Sequence, residues 1–289
     1  MPPIFGDKLF PYNVSDSIGR HQFNPKLQLL IGHTEMEGLK LAQITDQYVG
    51  LGGRYTRQSV LAAPTSVTKQ QVASDIRKLI PPGLLCERDV RRIVDEYTRG
   101  AKVGGKRNSG QLLVRSCYMA GDIVTTCLPV LFGSQLIESD SFRRTGGNIY
   151  GYKLSYTPST SKAYGSRWAR TDHDDDVPLM FGQPFYLTGH RWTADDRKMS
   201  SAMLKIWTDF AKYGKPEPSN SSGHQWPKYE INRSNGAVNV SYVELNPLFP
   251  GNRAIRLNRY RGHDGYIPNV LHNCLGFWRP LLSDNYQCN

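Results

Sequence analysis

The chain has 289 residues, with 36 Lys and Arg against 25 Asp and Glu and a formal net charge of +11. This length buries a sizeable core as one large or two ordinary domains, and 39% hydrophobic with 11% aromatic content excludes a disordered chain. No apolar run of about eighteen residues occurs, so no transmembrane helix is expected. The start, Met1 to Asp7, has neither the basic n-region nor the apolar h-region of a signal peptide.

Residues 26–32 (KLQLLIG) form a short apolar run closed by a glycine, the pattern of a buried strand. Thr68 caps a helix over residues 69–80 that Pro81 and Pro82 stop. Residues 87–99 form a second amphipathic helix, with Val90, Ile93, Val94 and Tyr97 on one face and Gly100 at its end. Residues 122–137 read as a helix with an apolar face of Val124, Cys127, Leu128, Leu131 and Leu136. Residues 148–156 (NIYGYKLSY) alternate and carry aromatics, the pattern of a strand. Thr193 caps a long helix with Asp195 and Asp196 in its first turn, where the dipole favours anions. Its apolar stripe is Met199, Met203, Ile206, Trp207 and Phe210, and Gly214 ends it before Pro216. Residues 215–240 are polar and rich in Pro, Ser and Asn, and read as loop. The whole is an α/β rhythm.

The positive charge invites a nucleic-acid reading. The basic residues are scattered, however, with mild clusters at residues 88–92, 102–107 and 253–261, and no nucleic-acid-binding motif occurs. Charge alone speaks to association and solubility. The five cysteines, Cys86, Cys117, Cys127, Cys274 and Cys288, form no C-x-x-C pair, which argues against a zinc ribbon or thioredoxin-type site. Glycosylation sequons stand at Asn13, Asn220, Asn232 and Asn239, and together with widely spaced cysteines they favour a secretory-pathway address.

Two loops carry candidate chemistry. The strand at 26–32 runs into a loop containing Glu35 and Glu37, and the strand at 148–156 leads to His173. In open α/β sheets functional groups gather on loops leaving the carboxyl ends of strands. A glutamate on one such loop can fix the tautomer of an imidazole on the other and stabilise its charged form. Two other readings remain open on the residues alone. His173 can be a surface histidine beside a solvated acidic run, and Asp174, Asp175 and Asp176 can hold a hard cation if further oxygen ligands join them.

Several segments, in order, resemble the C-terminal half of the type-B carboxylesterases, the cholinesterase-like branch of the α/β-hydrolases. Residues 29–38 (LLIGHTEMEG) resemble the strand and D-E-G loop whose glutamate is the triad acid. Residues 121–127 (GDIVTTC) resemble the G-D…C helix segment. Residues 173–182 (HDDDVPLMFG) resemble the H-G-x-E…F-G segment whose histidine is the triad base. Trp207, Phe210, Ala211, Gly214 and Pro216 fit a W-x-x-F-A-x-x-G-x-P helix end, residues 226–229 (WPKY) the W-P-x-Y after it, and residues 274–282 (CLGFWRPLL) the terminal C-x-F-W segment.

The resemblance implies part of an α/β-hydrolase fold, a mostly parallel sheet flanked by helices, as one incomplete domain over residues 1–289. It implies His173 as base, Glu37 as acid, with Glu35 a competitor that the glycine after Glu37 disfavours, and a disulfide between Cys127 and Cys274. Cys86, Cys117 and Cys288 are not explained by it. The implied partner is a small-molecule carboxylic ester, with no cofactor, no metal, no nucleic acid and no membrane span, and with the oligomeric state unread. Asp174 stands where the family has glycine, while Asp176 keeps its acidic position. The sequence contains no G-x-S-x-G nucleophile elbow and no oxyanion loop. Both belong to the family's N-terminal half, so the expectation is a chain that starts before the acid, with a signal peptide upstream. On that expectation it is inactive alone, and the alternative is a non-catalytic, neuroligin-like binding member.

Overall fold

A computed structural model describes residues 5–8, 11–40, 57–61, 67–80, 83–101, 110–216, 226–232, 234–249, 253–258 and 271–282. Asn220, Cys288 and the basic cluster at 102–107 lie outside the described residues, as does the end of the cluster at 253–261. In chain order the first elements are α1 (Val14–Gly19), β1 (Gln28–Thr34), α2 (Arg57–Leu61), α3 (Lys69–Leu79), α4 (Glu87–Thr98) and α5 (Gln111–Gly121). A π turn (Asp122–Thr126) follows, then α6 (Cys127–Glu138), α7 (Asp140–Arg144), β2 (Asn148–Leu154), α8 (Val177–Met180), α9 (Gln183–Tyr186) and α10 (Ala194–Tyr213). The remainder is β3 (Glu230–Ile231), β4 (Val238–Asn239), β5 (Tyr242–Phe249), β6 (Arg253–Asn258), a π segment (Leu271–Trp278) and α11 (Arg279–Leu281).

The main sheet has the order β1-β2-β5-β6. β1 and β2 run parallel, as do β2 and β5, and β6 returns antiparallel to β5. Helices cover both faces, because successive strand residues point to opposite sides. Ile149 joins the core built by α3 to α6, whereas Tyr150, Tyr152 and Leu154 join Met199, Met203 and Ile206 of α10. This is the α/β sandwich the sequence implied. β1 was read as a buried strand ending at Gly32. It instead runs to Thr34 on the edge of the described sheet, and its residues before Thr34 are half-buried.

The helix signals held where they were local. Thr68 and Gln71 form a capping box on α3, which ends before Pro81. Val90, Ile93, Val94 and Tyr97 of α4 are all buried. The helix expected at 122–137 is longer. α5, the π turn and α6 form one continuous helix from Gln111 to Glu138. Asp122 is not its cap. Its carboxylate points inward and accepts from Tyr97 Oη at 2.6 Å and Asn273 Nδ2 at 2.9 Å, while Trp278 Nε1 donates to Tyr97 Oη at 2.7 Å. Burial pushes the Asp122 carboxyl up to about 6. A π turn also adds a residue and rotates the downstream face by about 100°. Leu128, expected inside, is accordingly 52% exposed.

This helix is long and apolar enough to cross a membrane by length and composition, although no eighteen-residue apolar run was read in it, and more than half of its apolar window is buried among the other elements. Cys127 on it is bonded to Cys274, 147 residues away, the pairing that the resemblance implied. In the chain-entropy model a loop of that length contributes up to about 5 kcal/mol. Cys86 is also disulfide-bonded, and Cys117 is a buried free thiol pushed up to about 12 by burial. The loop expected at 215–240 includes, in its described part, the short β3–β4 hairpin.

α10 is anchored by one carboxylate. Asp196 forms a capping box with Thr193. It also accepts from Tyr156 Oη at 2.9 Å, the Ser159 amide at 3.0 Å and Ser159 Oγ at 2.5 Å. Burial works to raise its pKa, but bonds from Ser159 and Thr193 prevail and hold it below the ordinary carboxylate range. Its stabilisation is therefore present above the unfolded pKa and is lost as pH falls through the lowered folded one. Asp196→Ala leaves several buried donors unpaired, and a loss of at least about 2 kcal/mol is expected in urea denaturation at neutral pH. The difference from wild type is expected to shrink in acid.

Candidate active site

β1 and β2 are parallel, so the turns after their carboxyl ends meet on one rim. Glu37 lies three residues beyond Thr34, and His173 opens the turn before α8. His173 Nδ1 is 2.6 Å from Glu37 Oε2, and Glu37 Oε1 accepts from the Thr34 amide at 2.6 Å. Glu37 is buried, whereas the His173 side chain is 39% exposed. Of the two loop glutamates, Glu37 is the one that meets His173. The Glu35 carboxyl is pushed up by burial and lies in the field of Lys153, Arg170 and Glu244.

Glycines position both loops. A Cβ on Gly38 would stand 1.9 Å from the Cys117 carbonyl oxygen and 2.5 Å from the Gly121 nitrogen, and one on Gly121 would stand 2.9 Å from the Gly38 nitrogen. The Glu37 turn thus lies backbone to backbone against the long helix, immediately before its π turn. Gly32 does the same work in the sheet. A Cβ there would meet the Tyr152 ring at 2.3 Å, and the phenol donates to Asp176 Oδ2 at 3.0 Å. Gly32 therefore sits inside β1, where the sequence reading made it a terminator.

The acidic run is divided among separate tasks. Asp172 Oδ1 accepts from the amides of Lys40 and His173, both at 2.8 Å. Asp174 Oδ2 accepts from Lys40 Nζ at 2.5 Å, and Asp175 Oδ2 from the Asp172 amide at 2.7 Å. Burial pushes the Asp175 carboxyl up to about 7. Among the described residues, no three His, Cys, Asp or Glu side chains converge as metal ligands. Lys40, Asp172 and Tyr152 were not singled out from sequence, since nothing local marks them. Asp174, where glycine was expected, adopts φ 69°, a left-handed backbone uncommon outside glycine.

The Glu37 hydrogen bond is the main cause that raises the His173 pKa, against partial desolvation. Burial works to raise the Glu37 pKa, but the bonds from His173 and Thr34 prevail and lower it. Both shifts favour the charged pair. The histidine contribution is complete below the unfolded histidine pKa and is lost as pH rises through the raised one. The glutamate contribution is present above its unfolded pKa and is lost as pH falls through the lowered one.

Ser159, His190 and Asp196 have the residue types of a triad but not its order. Ser159 Oγ lies 2.9 Å from His190 Nε2, yet the nearly buried hydroxyl donates to Asp196, so its proton is already engaged by the helix cap.

The carboxylesterase family profile matches residues 1–247. The chain belongs to the carboxylesterase family. Its sheet and flanking helices are those of an α/β-hydrolase. It is 33% identical over 103 residues to the medium-chain fatty acyl-CoA hydrolase precursor of Anas platyrhynchos, covering 35% of this chain and 18% of that protein. It is 24% identical over 185 residues to acylcarnitine hydrolase of Rattus norvegicus, covering 64% and 29%. With bile salt-activated lipase of Bos taurus it shares 35% over 106 residues, covering 36% and 16%. The carboxylesterase-family chain therefore matches less than a third of the length of each of these relatives. Replacing Glu37 by Gln removes the charge that holds the imidazolium, so the His173 titration midpoint is expected to fall in a ring-proton NMR titration.

Proposed function

We propose that this chain supplies the base and the orienting acid of a serine carboxylic-ester hydrolase, His173 and Glu37 respectively, and that the nucleophilic serine lies outside these 289 residues. The observation that carries the reading is the 2.6 Å contact between His173 Nδ1 and Glu37, made across loops from two parallel strands. With Nδ1–H donated to Glu37, the neutral imidazole keeps a lone pair on Nε2. It takes the serine proton as the hydroxyl attacks the ester carbonyl, then returns it to the leaving alcohol. The raised His173 pKa sets the pH above which this base is free, so the acidic limb of activity lies above that of an ordinary histidine. Residues 1–289 are on this reading one part of a larger hydrolase domain, acting on small-molecule carboxylic esters. The names of the acyl-CoA, acylcarnitine and lipase relatives support acyl transfer to water.

A fluorophosphonate probe tests this on the native protein and on the 289-residue chain in parallel. The native protein is expected to be labelled at a serine outside these residues, with labelling lost in His173→Ala, and the isolated chain is expected to stay unlabelled. A labelled serine within residues 1–289 overturns the assignment. An unlabelled native protein favours the second reading, a non-catalytic binding member, which the strained Asp174 supports.

A secretory address accompanies the proposal, supported by the Cys127–Cys274 disulfide and by the exposure of Asn232 and Asn239. The Asn13 side chain caps α1, with its amide group donating to Asp16, which makes Asn232 and Asn239 the readier acceptors. Glycosidase release in heavy-oxygen water is expected to leave mass-shifted Asp at both positions, and unmodified peptides there would remove the glycan assignment.

A further inference from the structure

The imidazole of His173 has a carboxylate on each side. Glu37 meets Nδ1 at 2.6 Å, and Asp174 Oδ1 stands 3.5 Å from Nε2. Nε2 is the nitrogen that faces a nucleophile in the proposed reaction, so Asp174 borders the working side of the base. Its position is fixed from outside the turn. Lys40, on the loop that carries Glu37, binds Asp174 Oδ2 through its ammonium at 2.5 Å, and its own amide is held by Asp172 at 2.8 Å. The Met36 amide donates to the Thr171 carbonyl at 2.8 Å, which ties the same two loops once more. Asp174 holds this place at φ 69°, a backbone that glycine adopts without strain.

From this geometry we propose that Asp174, clamped by Lys40, is a positioning residue that sets the charge and orientation of the His173 imidazole from its Nε2 side. The proposal rests on the reading of His173 as the base. The charged groups facing the ring are Glu37 and Lys40 from the β1 loop and Asp174 from its own turn. Asp172 binds the His173 amide, and Glu37 in turn interacts electrostatically with His33 and Asp176. Asp174 favours the imidazolium and Lys40 opposes it, in keeping with the directions of their effects on His173. Asp174 thus defers the release of the base to higher pH, and Lys40 moderates that effect.

The test is the titration of the His173 ring by proton–carbon NMR in the native protein, with His173→Gln used to assign its resonance. Asp174→Gly and Asp174→Asn are each expected to lower the midpoint, and Lys40→Met to raise it. Asp174→Gly is also expected to keep or raise the thermal midpoint, since glycine suits the left-handed backbone. If Asp174 served only to bind the loops together, Asp174→Gly would lower the thermal midpoint and leave the His173 titration unmoved. Unmoved midpoints, or shifts of one sign in both the Asp174 and Lys40 variants, overturn the proposal. Because the titration needs no nucleophile, it stands or falls apart from the fluorophosphonate result. Opposite shifts with an unlabelled native protein would retain the electrostatic role and reject the enzyme.

Discussion

The geometry of the site depends on one contact that involves no side chain, the approach of the Glu37–Gly38 turn to the helix backbone at Cys117–Gly121. Only glycine on both sides permits it, because a Cβ on Gly38 would overlap the Cys117 carbonyl. Protein interiors are packed too densely to absorb such an overlap. Beside this contact Glu37 is buried, with its carboxylate held by the Thr34 amide and His173, and the π turn begins directly after Gly121. π turns are rare and gather at functional sites. Here the turn directs Asp122 into the core, where the Tyr97, Asn273 and Trp278 network fastens the distant Leu271–Trp278 segment beside the Cys127–Cys274 bridge.

The second loop is fixed by division of labour among acids. A run of like charges in one turn repels itself unless each carboxylate finds its own donor. Asp172 takes backbone amides, Asp174 an ammonium, Asp175 a backbone amide and Asp176 a phenol. Asp172 and Asp175 brace the backbone, while Asp174 borders Nε2. A structure of this kind has little freedom left for the imidazole, which suits a group that must hold one tautomer.

Local signals were legible because their physics is local. A cap is local, so the starts of α3 and α10 followed from Thr68 and from Thr193 with acids in the first turn, and the structure adds Gln71 and Asp196 as the second halves of two capping boxes. The amphipathic face of α4 followed from helical periodicity. Glycine was misread where its reason was distant. Gly32 was taken to end a strand and Gly121–Asp122 to start a helix. Each is the mark of a close neighbour, the Tyr152 ring in one case and the Gly38 turn in the other. Leu128 was misplaced because a regular period was carried through a π turn that only long-range contacts reveal. β5, with Asn246 and Pro247 inside it, was not recognised as a strand.

The sequence by itself carried the α/β rhythm and the family resemblance, and through that resemblance implied the pairing of Cys127 with Cys274 and the roles of His173 and Glu37, since motif residues and their order are written in the chain. Tertiary structure alone decided that Lys40 holds Asp174 and that Asp174 stands at Nε2, and it brought Glu37, already favoured over Glu35 by the glycine after it, against the imidazole. The Glu37–His173 and Lys40–Asp174 contacts join residues more than 130 positions apart. The distance between them is set by strand register and backbone packing, which no local pattern encodes.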